Sequence, residues 1–218
     1  VSRNGWGRLG MMPDSEKWLR TDTTKEAFKS LEKLDETLLL IPTDVYQWKW
    51  ALVILHNCAQ AFMVLALEGT NQVEVVRNKK VYLEWLEQFS KGKKVNCKIR
   101  ERMQNPQLND FMGLYRRIKH TKNAKFIWSN SKFTSTKNQK DALTTLNEYR
   151  NKFIHFLPCG WGIDLSGIQF ICTSVMEFIQ FMVSNGNFMY KFSEEEQGRI
   201  QVLVVSINDK LGAIGYGE

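Results

Sequence analysis

Arg150, Asn151 and His155 are the residues of this chain best suited, by type and spacing, to do chemistry. They make up R-N-x-x-x-H within the stretch Tyr149-Arg150-Asn151-Lys152-Phe153-Ile154-His155-Phe156-Leu157-Pro158, and His155 is one of only three histidines in 218 residues. On a helix, Asn151 and His155 at i and i+4 lie about 40° apart, on one face. Arg150 sits further round, but its long stem lets the guanidinium swing to the same edge. A permanently charged phosphate clamp, an amide and an imidazole then converge on one patch. Such a set suits a phosphodiester, with one group to hold the phosphate and another to move a proton. The same residues also fit an ordinary helix end, where a histidine meets the negative end of the macrodipole and an arginine lies along the surface.

The elements that must position these residues are helical. The motif helix is expected to begin near Asp141, to turn Leu143, Leu146, Tyr149 and Phe153 towards a core, and to stop by Pro158. Upstream, Thr23 with Glu26 reads as a capping box ahead of Ala27, Leu31, Leu34 and Leu38, a first amphipathic helix ended by Pro42. Thr43 and Asp44 then open a longer helix to about Glu68, with Gly69 as its stop. This second helix is apolar enough to raise the question of a membrane span, but His56, Asn57 and Gln60 interrupt it, so it reads as the central helix of a bundle. His56 and Asn57 need partners if buried, and are expected to satisfy one another or a neighbouring backbone.

Further helices are expected from Asn78 to Ser90 and after Pro106, the latter carrying Phe111, Met112, Tyr115 and Ile118. After the motif, Asp164 can cap a very apolar helix with Ile168, Ile171, Cys172, Val175, Met176, Ile179 and Met182, up to Asn185-Gly186. Ser193 with Glu196 is a second capping box, for a last helix with Ile200, Leu203, Val204 and Ile207. No alternating strand run, internal repeat, G-x-x-x-x-G-K or G-x-S-x-G is present. The expected architecture is all-α, an up-and-down helical bundle with a basic, loop-rich insertion at about 91–140. One domain is expected over residues 15–210, with a disordered leader at 1–14 and a flexible tail at 211–218.

Charge is spread unevenly. The net charge of +7 divides into 8 basic and 10 acidic side chains over residues 1–76, 17 and 4 over residues 77–140, and 5 and 9 over residues 141–218. All the excess positive charge therefore sits in the middle segment, as a surface meeting a polyanion requires. Between residues 111 and 140 there are eight basic residues and no acidic one, with Phe126, Trp128 and Phe133 among them. Spaced cations and aromatic rings suit single-stranded nucleic acid, and they also suit a solvated loop pinned to a core. On the first reading Arg116, Arg117, Lys119, Lys122, Lys125, Trp128, Lys132 and Lys152 contact RNA. Cys58, Cys97, Cys159 and Cys172 show no C-x-x-C pair, and Cys58 and Cys172 fall in apolar helical patterns, so reduced, buried thiols in a cytoplasmic protein are expected, with no metal and no cofactor.

A long apolar helix, a variable insertion, and then a helix ending in R-N-x-x-x-H before another apolar helix resembles the HEPN superfamily over roughly residues 43–183. These are small helical-bundle domains of prokaryotic toxins, phage-defence proteins and RNA-processing factors. The resemblance implies a metal-independent endoribonuclease, acting as a homodimer with two motif helices across a shared cleft and open to restraint by an antitoxin or other regulatory partner. Residue by residue it implies His155 as the acid–base group for attack by a ribose 2′-hydroxyl, Arg150 as the phosphate clamp, and Asn151 as the residue orienting either. One departure is Leu157, where a toxin branch of the family carries a tyrosine that accepts AMP, so that form of silencing does not carry over. A second expectation of a different class is a non-catalytic HEPN-like module that binds RNA, a nucleotide or a protein partner.

Overall fold

Asp22 starts the fold: its carboxylate accepts from the Lys25 backbone N–H at 2.9 Å and caps α1, Thr23–Leu40. The expected Thr23 cap is thus displaced by one residue, because the aspartate one step earlier reaches the N3 amide. The computed structural model describes residues 19–69, 72–92, 106–120, 133–155, 158 and 160–214. The expected leader at 1–14, and Cys97, Lys122, Lys125, Trp128, Lys132 and Cys159, lie outside the described residues.

Six more helices follow among the described residues: α2 (Gln47–Leu67), α3 (Lys79–Ser90), α4 (Phe111–Lys119), α5 (Lys137–Ile154), α6 (Ile168–Asn185) and α7 (Glu194–Ala213), with a 3₁₀ turn at Asn187–Lys191. Among the described residues there is no strand; Val76 and Leu108 form an isolated antiparallel bridge. The protein is an all-α bundle. α1 packs on α2, α5 on α6 and α6 on α7, and α7 closes back onto α1. This is the connectivity of an up-and-down bundle.

α2 forms the middle of the bundle and packs against α1, α4, α5 and α6. Its mean hydropathy of 1.7 and its length would allow it to cross a membrane, yet 67% of that window is buried inside the bundle. A helix that is apolar on nearly every side must be covered on nearly every side, and here its neighbours cover it. It begins at Gln47 rather than at Thr43, because the Asp44 carboxylate accepts from the Tyr46 N–H (3.0 Å) and the Gln47 amide (2.7 Å), holding residues 43–46 in a turn.

The expected core stripes are buried: Ala27, Leu31, Leu34 and Leu38 on α1; Ile168, Ile171, Cys172, Val175, Met176, Ile179 and Met182 on α6; and Ile200, Leu203, Val204 and Ile207 on α7. Burial raises the thiol pKa of both Cys58 and Cys172, the latter to about 12, so neither is a reactive thiolate. Serine 193 caps α7 in the expected box with Glu196. The helix then runs to Ala213, through Leu211, which is buried, so residues 211–213 belong to the bundle rather than to a tail.

Part of the expected insertion is structural. Phe111, Leu114, Tyr115 and Ile118 of α4 are buried against the bundle. The 72–78 connection is tied to it by Arg77 N–H to the Gln107 carbonyl and Asn109 N–H to the Val75 carbonyl, both at 2.8 Å.

Candidate functional site

The motif helix begins earlier than its apolar pattern suggests. Thr136 caps α5, accepting from the Gln139 N–H at 3.1 Å while the Gln139 side chain accepts from the Thr136 N–H at 3.2 Å. This reciprocal box moves the start from the expected Asp141 to Lys137. At the other end the helix stops at Ile154, before Pro158 can end it. His155 is the C-cap, at φ −116° and ψ 45°, and its N–H donates to the Asn151 carbonyl at 2.8 Å.

The faces of α5 separate the motif residues. Leu143, Leu146, Asn147 and Arg150 recur at helical spacing on the side facing the bundle; the two leucines are fully buried, and Asn147 and Arg150 are half-buried. Asn151, Lys152 and His155 are exposed. The Arg150 guanidinium swings across to Asn151 and donates to its Oδ1 at 3.0 Å. Arg150 and Asn151 thus meet as their spacing suggests. The His155 side chain makes no hydrogen bond or ion pair among the described residues, and is linked to the pair only through the turn of backbone they share.

Below Arg150 lies a residue the motif does not contain. His56 of α2 is buried, with its ring stacked on Phe111 of α4 at 4.1 Å between centroids. Its Nε2 lies 3.1 Å from Asn147 Oδ1. Asn57, the partner expected for His56, is exposed and its side chain favours the charged ring, as does Asn147 from another helix, which sequence reading did not foresee. With the amide oxygen facing it, Nε2 carries the ring proton, and the buried Nδ1 has no hydrogen-bond partner. Burial, opposed by the side-chain bonds of Asn147 and Asn57 and aided by the nearby positive charge of Arg150, pushes the pKa of His56 from 6.5 down to about 4. His56 is therefore neutral at pH 7, and Arg150 supplies the fixed charge of this cluster. No family model, no curated protein and no solved structure matches this chain. What the site does must therefore be read from its own residues.

The expected RNA contacts divide. Arg116 is exposed and approaches Asp110 at 3.8 Å, and Lys119 is exposed, 5.4 Å above the Tyr115 ring. Arg117 turns inward instead. Its guanidinium donates to the carbonyls of Glu74 (2.6 Å) and Val76 (2.9 Å), pinning the 72–78 connection to α4. It therefore has a structural task, and a run of positive charge in sequence cannot reveal that. Lys152 is exposed, with its ammonium 6.0 Å from the Tyr149 ring centroid, beside a cleft at the end of α5. Among the described residues no three His, Cys, Asp or Glu side chains gather as metal ligands would.

Sequence reasoning missed His56 and Asn147 as a pair. The one signal was a polar residue, His56, at a core position of an apolar helix. What the sequence lacks is any sign that these two positions face each other.

Proposed function

We propose that this chain is a HEPN-like endoribonuclease that cuts RNA without a metal ion, in a toxin or phage-defence setting and as a homodimer. The observation that carries this reading is the 3.0 Å bond from Arg150 to Asn151, one helical turn before an exposed His155 with no competing side-chain partner among the described residues. Arg150 holds the phosphate and offsets the negative charge that gathers on its oxygens in the transition state. His155 takes the proton of the ribose 2′-hydroxyl as that oxygen attacks phosphorus. The bond to the 5′-oxygen breaks, and the leaving oxygen takes a proton from an imidazolium. The products are a 2′,3′-cyclic phosphate and a 5′-hydroxyl, so RNA is cut and DNA is not. Asn151 positions the guanidinium rather than exchanging protons.

A second reading is a non-catalytic module that binds RNA, a nucleotide or a protein partner. What favours it is that Arg150 donates to Asn151 and stands beside the neutral His56, while among the described residues no bond joins it to His155. Cleavage of mixed-sequence RNA in EDTA, beside His155→Ala and Arg150→Ala, decides between the two. Cyclic phosphate ends that vanish in both variants support the ribonuclease. Salt-sensitive RNA binding without cleavage by folded wild type supports the module. Cleavage that survives His155→Ala overturns the mechanism.

A further inference from the structure

The start of α2, the end of α5 and the residues leading into α6 enclose a cleft of about 450 Å³, within the size range of clefts that take small ligands. Its depth and its mouth differ in chemistry. Trp48, Leu52 and Ile168 line it from the core and are buried. Among the described residues that line it, Lys49 and Lys152 carry charge, and no aspartate or glutamate does. We infer that this cleft binds an aliphatic chain ending in an anionic group, of the fatty-carboxylate class.

The wall selects the chain. Phe153, Ile163 and Leu165 pack against the core and join the three buried residues in one apolar surface. Its ring faces are already taken: Trp161 packs on Phe153 at 4.9 Å between centroids, and the Lys49 ammonium lies 5.4 Å over Tyr46. What remains is apolar surface rather than open stacking platforms. A chain of methylenes suits such a wall, because it gives up no hydrogen bond on leaving water.

The lysines select the head group. Lys49 donates to the Tyr46 hydroxyl at 3.2 Å, which uses one of the three donors of an ammonium. Neither it nor Lys152, which is exposed, has a carboxylate partner among the described residues. The carboxylates beside the lining residues in the chain are turned to other donors. Asp44 accepts from the Tyr46 N–H and the Gln47 amide, and Asp164 accepts from the Ser166 N–H. An uncharged chain would leave both cations unanswered, and a small inorganic anion would leave the apolar wall bare. One anionic head on an apolar tail answers both.

The assignment is independent of cleavage, because no step at His155 enters it. A free fatty carboxylate and the acyl chain of an anionic membrane lipid share this chemistry, and the test separates them. Calorimetry at pH 8 follows titration with octanoate, decanoate and dodecanoate below their micelle concentrations, with 1-decanol as the uncharged control. Saturable one-to-one binding is expected, tightening about threefold to fourfold for each added methylene. Lys49→Gln and Lys152→Gln should each weaken decanoate about twofold to fivefold and leave decanol unchanged. Val45→Glu adds a negative charge to the wall at a position 54% exposed, so it should weaken decanoate while the protein melts like wild type. Sedimentation with phosphatidylglycerol vesicles distinguishes the sources. Protein that stays in solution assigns the site to the free carboxylate, and protein that sediments and is released by decanoate assigns it to a lipid chain. The inference is overturned if no carboxylate saturates, if affinity does not rise with chain length, or if both lysine variants bind decanoate as tightly as wild type. Binding of many chains per protein with a lowered melting temperature is detergent action and overturns it too.

Discussion

The His56 imidazole and the Asn147 carboxamide meet across the α2–α5 interface at 3.1 Å, although they stand 91 positions apart in the chain. Asn147 stands one turn before Arg150 on the same stripe of α5, so the partner of the buried imidazole and the motif share one rigid element. The charge on Arg150 and the proton on His56 are coupled: each cation disfavours the other.

This pair makes stability depend on pH in a definite direction. In the unfolded chain His56 titrates at the usual 6.5, and in the fold at about 4, so between these values the unfolded state binds more protons. Its contribution is fully present above pH 6.5 and is lost as pH falls towards 4, by about 3 kcal/mol in all. Urea unfolding at pH 7, 5 and 4 checks this. Wild type is expected to lose about 3 kcal/mol more over that range than His56→Gln, which keeps an amide for Asn147 but cannot titrate. Parallel curves for the two proteins would rule it out.

Neighbouring arginines in α4 are expected to behave oppositely. Arg117 satisfies the carbonyls of Glu74 and Val76, so Arg117→Ala should destabilise the fold by about 1–3 kcal/mol. Arg116 has a side chain 72% exposed, so Arg116→Ala should stay within about 0.5 kcal/mol of wild type. If α4 meets RNA, Arg116→Ala should weaken binding and flatten its salt dependence. Chemical denaturation and salt titrations separate the two effects. Equal stability losses in both variants would contradict the assignment.

The same pair shows what the sequence makes legible. Helices with a sustained apolar stripe, such as Ala27–Leu31–Leu34–Leu38 and the long face of α6, are written in local spacing, and all of those residues are buried. The Ser193–Glu196 box is equally local and is present. The Thr136–Gln139 box went unread because it lies inside a polar, basic stretch that draws attention to charge. Arg117 was read as an RNA contact because a cluster of cations announces its field, not the carbonyls that one of its members will meet. His56 was visible as a polar residue in an apolar helix, whereas Asn147 lies in a polar one and carried no such signal. Their pairing depends on how α2 and α5 are packed, which no local pattern encodes. Within the motif, the Arg150–Asn151 contact was legible as neighbouring residues with one long stem. The orientation of His155 was not, because the helix ends at that residue.

Two glycines should respond to alanine with opposite signs. A Cβ on Gly186 would fall on the Phe188 ring and on the Met182 carbonyl, to which the Gly186 N–H donates at 2.7 Å. A backbone oxygen held by that bond has no room to yield, so Gly186→Ala should cost about 1–3 kcal/mol. Gly198 lies inside α7, and a Cβ there would meet nothing within 4 Å. Gly198→Ala should stabilise by about 0.5–1 kcal/mol by restricting the unfolded chain and favouring the helix. Thermal melts of both variants check the pair, and a shared sign would show that the packing around Gly186 has been misjudged.

The motif itself is best probed by keeping the charge at position 150 while removing its shape. Arg150→Lys retains a cation but loses the planar fork, and one ammonium cannot hold Asn151 and a phosphate with the same geometry. On the ribonuclease reading its turnover should fall about 10- to 100-fold with a smaller change in KM, since the lost contact is one that strengthens in the transition state. Asn151→Ala should lower turnover less, and His155→Ala should lower it by about 10²–10⁴-fold. The His56 ring supplies a readout that does not depend on catalysis. Because the charge of Arg150 helps depress the His56 pKa, Arg150→Ala should raise the His56 titration midpoint seen by NMR, while Arg150→Lys should leave it nearly unchanged. Loss of turnover in Arg150→Lys with an unmoved His56 midpoint would assign Arg150 to the phosphate. A moved midpoint in Arg150→Lys would mean that the substitution has disturbed the α2–α5 interface, and the kinetic loss would then reflect position rather than chemistry.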